Sequence, residues 1–438
     1  MAVTDASTLD LLGIGFGPAN IALAIVLDEH SLLAGTRFLE RESQVGWHPG
    51  MMLAGTSVQN SFLKDLVTLR NPRSQFSFLA YLKAKGRLHQ FINLAQARTS
   101  RWEFNDYLRW VADHFAELVR YDWEAIELVP NFAADGVART MSVTAVNKSG
   151  EQCSYVTRNV VFGMGGRPRM LPDIVTPSPK VVHSSQFLRR FPEIALDQPT
   201  PTAVAVVGGG QSGAELTQHL ARELPQSAIH WIVSEAAPRP ADDTPYINDI
   251  FMESEVDRHF DAQRSGDADY HATFHNSNYG VVDADLLHSL YRLQYQEAIT
   301  GRNRLQIHTR SRLLAAFEKN QRLFLTISGP VTELQTDLLV LATGYHRDLP
   351  AEMTGGLSSL LERDAEGRLV IERGYRVSAR PELAAGIYAQ GMAEHSHGLG
   401  DTLLPVMPFR AERISQQVAA GLSADPAEAC PLASPSFA

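Results

Sequence analysis

Two glycine-rich turns, Gly13-Ile-Gly-Phe-Gly-Pro-Ala-Asn20 and Gly208-Gly-Gly-Gln-Ser-Gly-Ala-Glu215, stand almost two hundred residues apart in this chain. A diphosphate needs close backbone approach and free N–H groups at a helix start, and glycine permits both. Gly13, Gly15 and Gly17 supply this in the first turn, and Gly208, Gly210 and Gly213 in the second. Pro18 takes the place of the third consensus glycine of the first turn; it lacks an N–H but suits a first helical turn. Two cradles imply two dinucleotides, and two dinucleotides in one chain imply an electron relay.

The elements that must hold these turns read as strand, turn and helix in both places. Leu9–Leu12 is an apolar strand, Ala19–Leu27 a helix, and Arg37–Glu40 the returning strand. Glu40 then stands where such folds place an acid on the adenosine ribose. The second turn follows Thr202–Val207, whose β-branched run fits a buried parallel strand, and precedes a helix over Ala214–Arg222. After the next strand, Ile229–Val233, the ribose position carries Ser234 and Glu235, with Arg239 beyond. A carboxylate suits the unphosphorylated cofactor and Ser with Arg suits a 2′-phosphate; the reading favours NADPH, with Arg239 as a solvated loop cation the plainer alternative.

A third marker is Thr336–His346, an apolar strand ending in Ala342-Thr343-Gly344-Tyr345, with a counterpart at Val160–Gly166. These turns bracket an inserted unit, and Gly386–Gly391 then returns as the last strand of the first, delivering Gly391 to the first cofactor. The fold class is α/β: a Rossmann-like unit over 1–172 and 335–422, interrupted by a second Rossmann-like unit over 173–334. A largely helical, substrate-facing part spans 244–300, and a proline-rich tail over 423–438 is expected to be disordered.

Several further segments appear in a fixed order: Gly46-Trp47-His48-Pro-Gly-Met51, Gln59-Asn-Ser-Phe-Leu-Lys64-Asp-Leu66, Leu69-Arg-Asn-Pro72, Asp242-Asp-Thr-Pro-Tyr-Ile-Asn248, Asn278-Tyr-Gly-Val-Val-Asp283 and His397-Gly-Leu-Gly-Asp-Thr-Leu-Leu404. With these and the glycine turns the chain resembles, over nearly its whole length, the flavin-dependent N-hydroxylating monooxygenases of siderophore biosynthesis, most of all the ornithine N-monooxygenases. The resemblance implies FAD, NADPH and dioxygen acting on a primary amine through a C4a-hydroperoxyflavin, in a homotetramer; the opening Met1–Ser7, without a basic segment followed by an apolar one, leads to the expectation of a cytoplasmic protein. It places Lys64 and Asn248 on the carboxylate of an amino-acid substrate, Asn278 beside the reacting nitrogen, and Gln59 near flavin and substrate. It also assigns Trp47, His48, Gln211, Ser212, Thr343, Tyr345 and Leu404 to the cofactors, with Gln211 and Ser212 on the nicotinamide diphosphate.

The chemistry asks for such a division. An alkyl ammonium with a pKa of ~10.4 is protonated at neutral pH, so the reacting nitrogen needs a dry pocket without negative charge, whereas the distant carboxylate needs a fixed cation. Each assignment has a plainer rival: Lys64 as a surface partner of Asp65, Asn248 as cap of a helix beginning near Asp249, Asn278 as a turn residue, His48 as a packed loop histidine, and Ser212 as a helix cap. Trp102, Tyr107 and Trp110 read as a core stripe of one helix.

Composition bounds the alternatives. The net charge of −10 over 438 residues argues against nucleic acid, and no apolar run approaches a membrane span. The two cysteines, Cys153 and Cys430, are far apart, which removes disulfide-reductase chemistry and any cysteine-based metal site. Around His183, Pro177 and Pro179 break the fingerprint of Baeyer–Villiger enzymes. Lysine or a diamine as substrate, and a non-catalytic flavin or nicotinamide sensor, stay open at this point.

Overall fold

The structure is a computed structural model that describes residues 3–4, 7–196, 202–265 and 269–423. Strands covered on both faces must be apolar throughout, and Leu11–Ile14 and Asn159–Phe162 are buried at every position. They form the centre of an all-parallel sheet in the order Gly386–Ala389, Asn159–Phe162, Leu11–Ile14, Thr36–Glu40, Val119–Tyr121. The helix Pro18–Glu29 lies on this sheet with Asn20 through Leu27 all buried, and Met407–Ser423 packs against it.

A second parallel sheet has the order Val181–His183, Leu338–Leu341, Ala203–Val207, Ala228–Ile232, Leu305–His308. Its two central strands, Leu338–Leu341 and Ala203–Val207, are also buried at every position. An antiparallel meander over Leu313–Thr336 is attached to this unit, and a four-stranded sheet built on Trp123–Phe132 and Ala138–Asn147 to the first. The molecule is thus an α/β protein with one Rossmann-like unit inserted into another.

The boundary differs from the expected division at 334. Leu338–Leu341 bonds to both Val181–His183 and Ala203–Val207, so the second sheet is complete only after Leu341. The chain crosses back at Ala342–Tyr345, where Tyr345–His346 pairs with Arg167–Pro168 in an antiparallel ribbon. The 244–300 segment is helical over Pro245–Asp249, Glu253–Ser265, Asp269–Asn278 and Ala284–Thr300. It does not belong to the second unit alone. Arg413 reaches Glu253 at 2.6 Å and Asp257 at 2.8 Å, and Arg373 reaches Asp257 at 2.7 Å, tying the helix Glu253–Ser265 to the first unit.

The aromatic stripe is only partly a core stripe. Tyr107 is fully buried, but Trp102 is 58 % exposed and donates its indole N–H to the Met52 carbonyl at 2.9 Å. Residues five apart on a helix point about 140° from one another, so burying Tyr107 turns Trp102 outward. The tail expected to be disordered lies outside the described residues. Among those described, no helix is long and apolar enough to cross a membrane.

Two histidines pair across the second sheet, His230 Nδ1 lying 3.0 Å from His308 Nε2. Burial, then the neighbouring ring, lowers the His230 pKa to about 4, and burial lowers that of His308. A histidine depressed in the fold adds stability that is present above its unfolded pKa near 6.5 and is lost as pH falls toward the folded value. Melting temperature is therefore expected to drop between pH 6.5 and 4, and His230→Phe to flatten that drop; an unchanged slope in the variant would count against the pair as its source.

Candidate active site

Each glycine turn is built as a phosphate cradle needs. A Cβ on Gly13 would fall 2.2 Å from Phe38 Cδ1, and one on Gly15, whose φ is +82°, 2.8 Å from the Gly163 carbonyl oxygen. Gly17 caps the helix Pro18–Glu29 and has open space where a side chain would project. Asn20 holds the turn from inside, its Nδ2 donating to the Gly15 carbonyl at 2.7 Å. Glu40 reaches the turn itself: Oε2 accepts the Phe16 N–H at 2.7 Å and Oε1 the Glu42 N–H at 2.9 Å.

In the second turn Gly208 has φ +133°, and a Cβ there would lie 2.2 Å from the Ala342 carbonyl oxygen; one on Gly213 would lie 2.0 Å from that of Gly208. Gly210 caps the helix Gln211–Glu223. Neither helix start has a side-chain cap, which leaves first-turn N–H groups free for phosphate oxygens. Residues and geometry thus fit a dinucleotide at each turn. Ser212 lies within the first helical turn and is not its cap.

Gln211 is held at both ends of its amide. Its Nε2 donates to Glu215 Oε1 at 2.9 Å and its Oε1 accepts the Asp283 N–H at 2.8 Å, so both ends of the amide are engaged within the protein. Arg239 donates to Asn276 Oδ1 at 3.2 Å and lies 3.7 Å from Glu235. The candidate cation and the candidate acid of the ribose position therefore face one another.

The crossover delivers the remaining cofactor candidates. Thr343 donates its hydroxyl to the Arg169 carbonyl, Gly344 has φ +78° and accepts from His183 Nε2 at 3.1 Å, and Tyr345 stands 5.2 Å from the His183 ring. Gly391, just past the strand Gly386–Ala389, has φ +72° and open space beside it, while Leu404 is buried. Trp47 donates its backbone N–H to Asn105 at 2.9 Å and packs on Phe104. His48 is exposed, and desolvation by the groups packed round its ring, then Arg101 and Arg347, lower its pKa. It faces Tyr345 at 6.2 Å, joining the two segments.

The substrate candidates come together from opposite parts of the chain. Lys64 Nζ donates to Asn248 Oδ1 at 3.0 Å across 184 residues of sequence. Lys64 is not the partner of Asp65, whose buried carboxylate accepts the N–H groups of Val67, Thr68 and Phe78. Desolvation lowers the Lys64 pKa, and the Asp249 carboxylate opposes that shift. Asn248 sits within the helix Pro245–Asp249, not before a helix, and its Nδ2 donates to the Asp243 and Thr244 carbonyls. That leaves Oδ1 turned toward the lysine.

Asn278 ends the helix Asp269–Asn278 at the junction of the two units. Tyr279 donates its hydroxyl to Glu394 of the first unit, and the Gly280 Cα is 3.7 Å from a Cβ built on Gly210 of the second. Gln59 is exposed beside the bridge between Ser57 and Ser100.

The residues that lock this junction were not singled out from sequence. Arg101 forms a two-pronged bond to Glu215 at 2.8 and 2.9 Å, with the acid 4 % exposed, while Arg98 reaches Asp283 at 2.6 Å and Asp243 at 2.9 Å. Behind the first turn, Gln390 Nε2 donates to Asn20 Oδ1 at 2.6 Å, and Arg410 bonds Gln390 at 3.3 Å and Asp401 at 2.9 Å, with both members of the ion pair fully buried. Asp401 lies inside a conspicuous sequence segment, but nothing in that segment announces Arg410, nine residues on, as its partner.

Two Rossmann-like units whose glycine turns face one polar junction are the plan of an oxidoreductase working with FAD and a nicotinamide dinucleotide. The family described as L-lysine 6-monooxygenase/L-ornithine 5-monooxygenase matches residues 7–347, and the chain belongs to it. It is 37% identical over 424 residues to an L-ornithine N(5)-monooxygenase of Pseudomonas aeruginosa, covering 94% of this chain and 94% of that protein. Its fold matches an ornithine N-hydroxylase of Kutzneria sp. 744, solved with FADred, NADP+ and L-orn, with TM-score 0.89 and 35% identity over 94% of this chain and 99% of that one. An L-lysine 6-monooxygenase from Pseudomonas syringae matches with TM-score 0.75 and 31% identity over 94% and 100% of the two chains.

Breaking a buried ion pair by removing one partner costs about 3–5 kcal/mol, because the other charge stays behind. Glu215→Ala should therefore lower unfolding free energy by about that much in urea, and the double variant Arg101→Met/Glu215→Leu should recover a large part of it. Equal losses in the single and double variants would show that the pair is not what holds the units.

Proposed function

We propose that the protein hydroxylates the terminal primary amine of L-ornithine to N5-hydroxyornithine for hydroxamate siderophore biosynthesis. The balanced change is amine, NADPH, a proton and dioxygen to hydroxylamine, NADP+ and water. The observation that carries the reading is the 3.0 Å contact of Lys64 with Asn248. A half-buried ammonium with a single neutral amide partner is what a carboxylate-bearing substrate can use. Similarity to ornithine enzymes at 37% and 35% identity, against 31% for the lysine enzyme, favours ornithine.

FAD, reduced by NADPH, would supply oxygen activated from dioxygen. Glu40 would hold the FAD ribose, and the Gly13–Pro18 turn its diphosphate. The Gly208–Gly213 turn and Ser212 would hold the NADPH diphosphate, with Arg239 released from Glu235 to meet the 2′-phosphate. Lys64 Nζ and Asn248 would fix the substrate carboxylate, so that the amine extends toward the junction. There Asn278 Oδ1 would accept an amine N–H without supplying charge that would keep the nitrogen protonated. Glu394, at the same junction, accepts a hydrogen bond from the Tyr279 hydroxyl. Gln59 would close the site from the exposed side. Assembly as a cytoplasmic homotetramer belongs to this proposal, and light scattering should then give four times the 48.3 kDa chain mass.

A hydrogen bond to a charged group is worth about 1.5–3 kcal/mol, or roughly 10- to 150-fold in binding. Lys64→Ala should raise the ornithine KM in that range while leaving flavin reduction by NADPH within about twofold. Putrescine and cadaverine, which lack the carboxylate, should respond weakly to the wild type and no differently to the variant. A Lys64→Ala enzyme that keeps its ornithine KM, or loses ornithine and diamine turnover alike, would overturn the carboxylate role.

A further inference from the structure

The crossover that returns the chain to the first unit ends on a cation, Arg347. Tyr345–His346 pairs with Arg167–Pro168, and side chains of an extended strand alternate between its two faces. Burial continues that alternation past the ribbon, with Tyr345 and Arg347 half-buried on one face and His346 and Asp348 exposed on the other. Asp348 is taken by Arg167 at 2.8 Å. Arg347 has neither a hydrogen bond nor an ion pair among the described residues.

The face that Arg347 shares with Tyr345 looks into the junction of the two units, because the Tyr345 ring stands 6.2 Å from His48 and 5.2 Å from His183. The charge of Arg347 is felt there at three groups. After desolvation and Arg101 it lowers the His48 pKa, and it opposes the rise that burial causes in Tyr345 and Tyr279. Tyr279 is followed by Gly280, whose Cα lies 3.7 Å from a Cβ built on Gly210, and Gly210 caps the helix Gln211–Glu223. The guanidinium is thus held between the loop of His48 and the helix start fitted to receive a diphosphate. Of the anionic groups in the proposed ligands, the substrate carboxylate has Lys64 and the 2′-phosphate has Arg239, beyond the strand Ala228–Ile232. The diphosphate is the anion left for Arg347.

We propose that Arg347 binds the nicotinamide-side phosphate of the dinucleotide at the second glycine turn, an inference that rests on the reading that a nicotinamide dinucleotide binds there. The helix start offers N–H groups from one side, and the planar guanidinium closes on paired phosphate oxygens from the other. The adenosine end runs from that cradle toward Glu235 and Arg239, so the phosphate next to the junction is the one that carries nicotinamide.

The test uses the whole chain loaded with FAD and measures NADP+ affinity by calorimetry, which reads binding without turnover. Arg347→Met should weaken NADP+ by about tenfold or more, the loss of one charge-assisted contact, with Arg347→Lys in between. 2′,5′-ADP keeps the 2′-phosphate and the adenosine-side phosphate but lacks the nicotinamide-side one, so its affinity should stay within about twofold in the same variants. FAD content should not change. Arg347→Lys, which keeps the stem and the charge, gives an independent reading should Arg347→Met fold poorly. Unchanged NADP+ affinity in the folded variants would overturn the role of Arg347 and leave the cofactor reading standing, whereas a wild type that binds no NADP+ would overturn both. Equal losses of NADP+ and 2′,5′-ADP, or loss of FAD, would also overturn the assignment, by placing the contact on the adenosine side or on the flavin cofactor.

Discussion

The contact between Arg101 and Glu215 is the constraint on which the rest of the site depends. The two glycine turns belong to separate sheets, and nothing in either sheet fixes its distance from the other. The pair does so with two parallel N–H to oxygen bonds, a geometry that sets direction as well as separation. Burial raises the Glu215 pKa, and Arg101 and Gln211 oppose that rise. The same carboxylate accepts from Gln211, and Gln211 accepts from Asp283, at the start of the long helix Ala284–Thr300. One acid thereby registers a helix of the first unit, the phosphate turn of the second and the segment that bears Asn278.

A second buried charge plays the corresponding part inside the first unit. Arg410 and Asp401 are both inaccessible to water, and a buried ion pair seldom stabilises a fold as well as apolar packing would. Its contribution is to geometry. Asp401 also accepts the Ala393 N–H at 2.8 Å, so the pair ties the loop after Gly391 to the terminal helix and, through Gln390 and Asn20, to the first glycine turn. The loop that reaches toward the first cofactor is thus fastened to the cradle that would hold its diphosphate.

What the sequence disclosed and what it withheld divide along the range of the interactions. Gly13, Gly15, Gly208 and Gly213 are legible because each answers a local demand: a positive φ, or a Cβ that would strike a neighbouring strand. Lys64 and Asn248 were legible only through family likeness, since no spacing rule joins residues 184 apart. Arg101 and Glu215 left no signal, because an ion pair between residues 114 apart has no sequence period. The contacts of Gln211 with Glu215 and Asp283 left no signal for a related reason, since Asp283 lies 72 residues away. The boundary at 334 erred because strand order is a property of the sheet; Leu338–Leu341 reads as apolar wherever it is placed.

The proposed substrate poses opposite demands at its two ends, and the proposed reading would meet them by distance. A carboxylate requires a cation, yet a cation beside the reacting amine would make the pocket polar and admit water, and an anion there would hold the proton on nitrogen. In the proposed reading Lys64, on a loop of the first unit and bonded to Asn248, would take the carboxylate, and Asn278, at the end of another helix, would face the reacting end. On that reading, a chain one methylene longer would still satisfy Lys64 but displace its nitrogen from Asn278. Since one methylene is worth only about 1–3 kcal/mol in an apolar pocket, discrimination between ornithine and lysine has to come from where the nitrogen is placed. That placement rests on how rigidly the two units are joined, and so returns to Arg101 and Glu215.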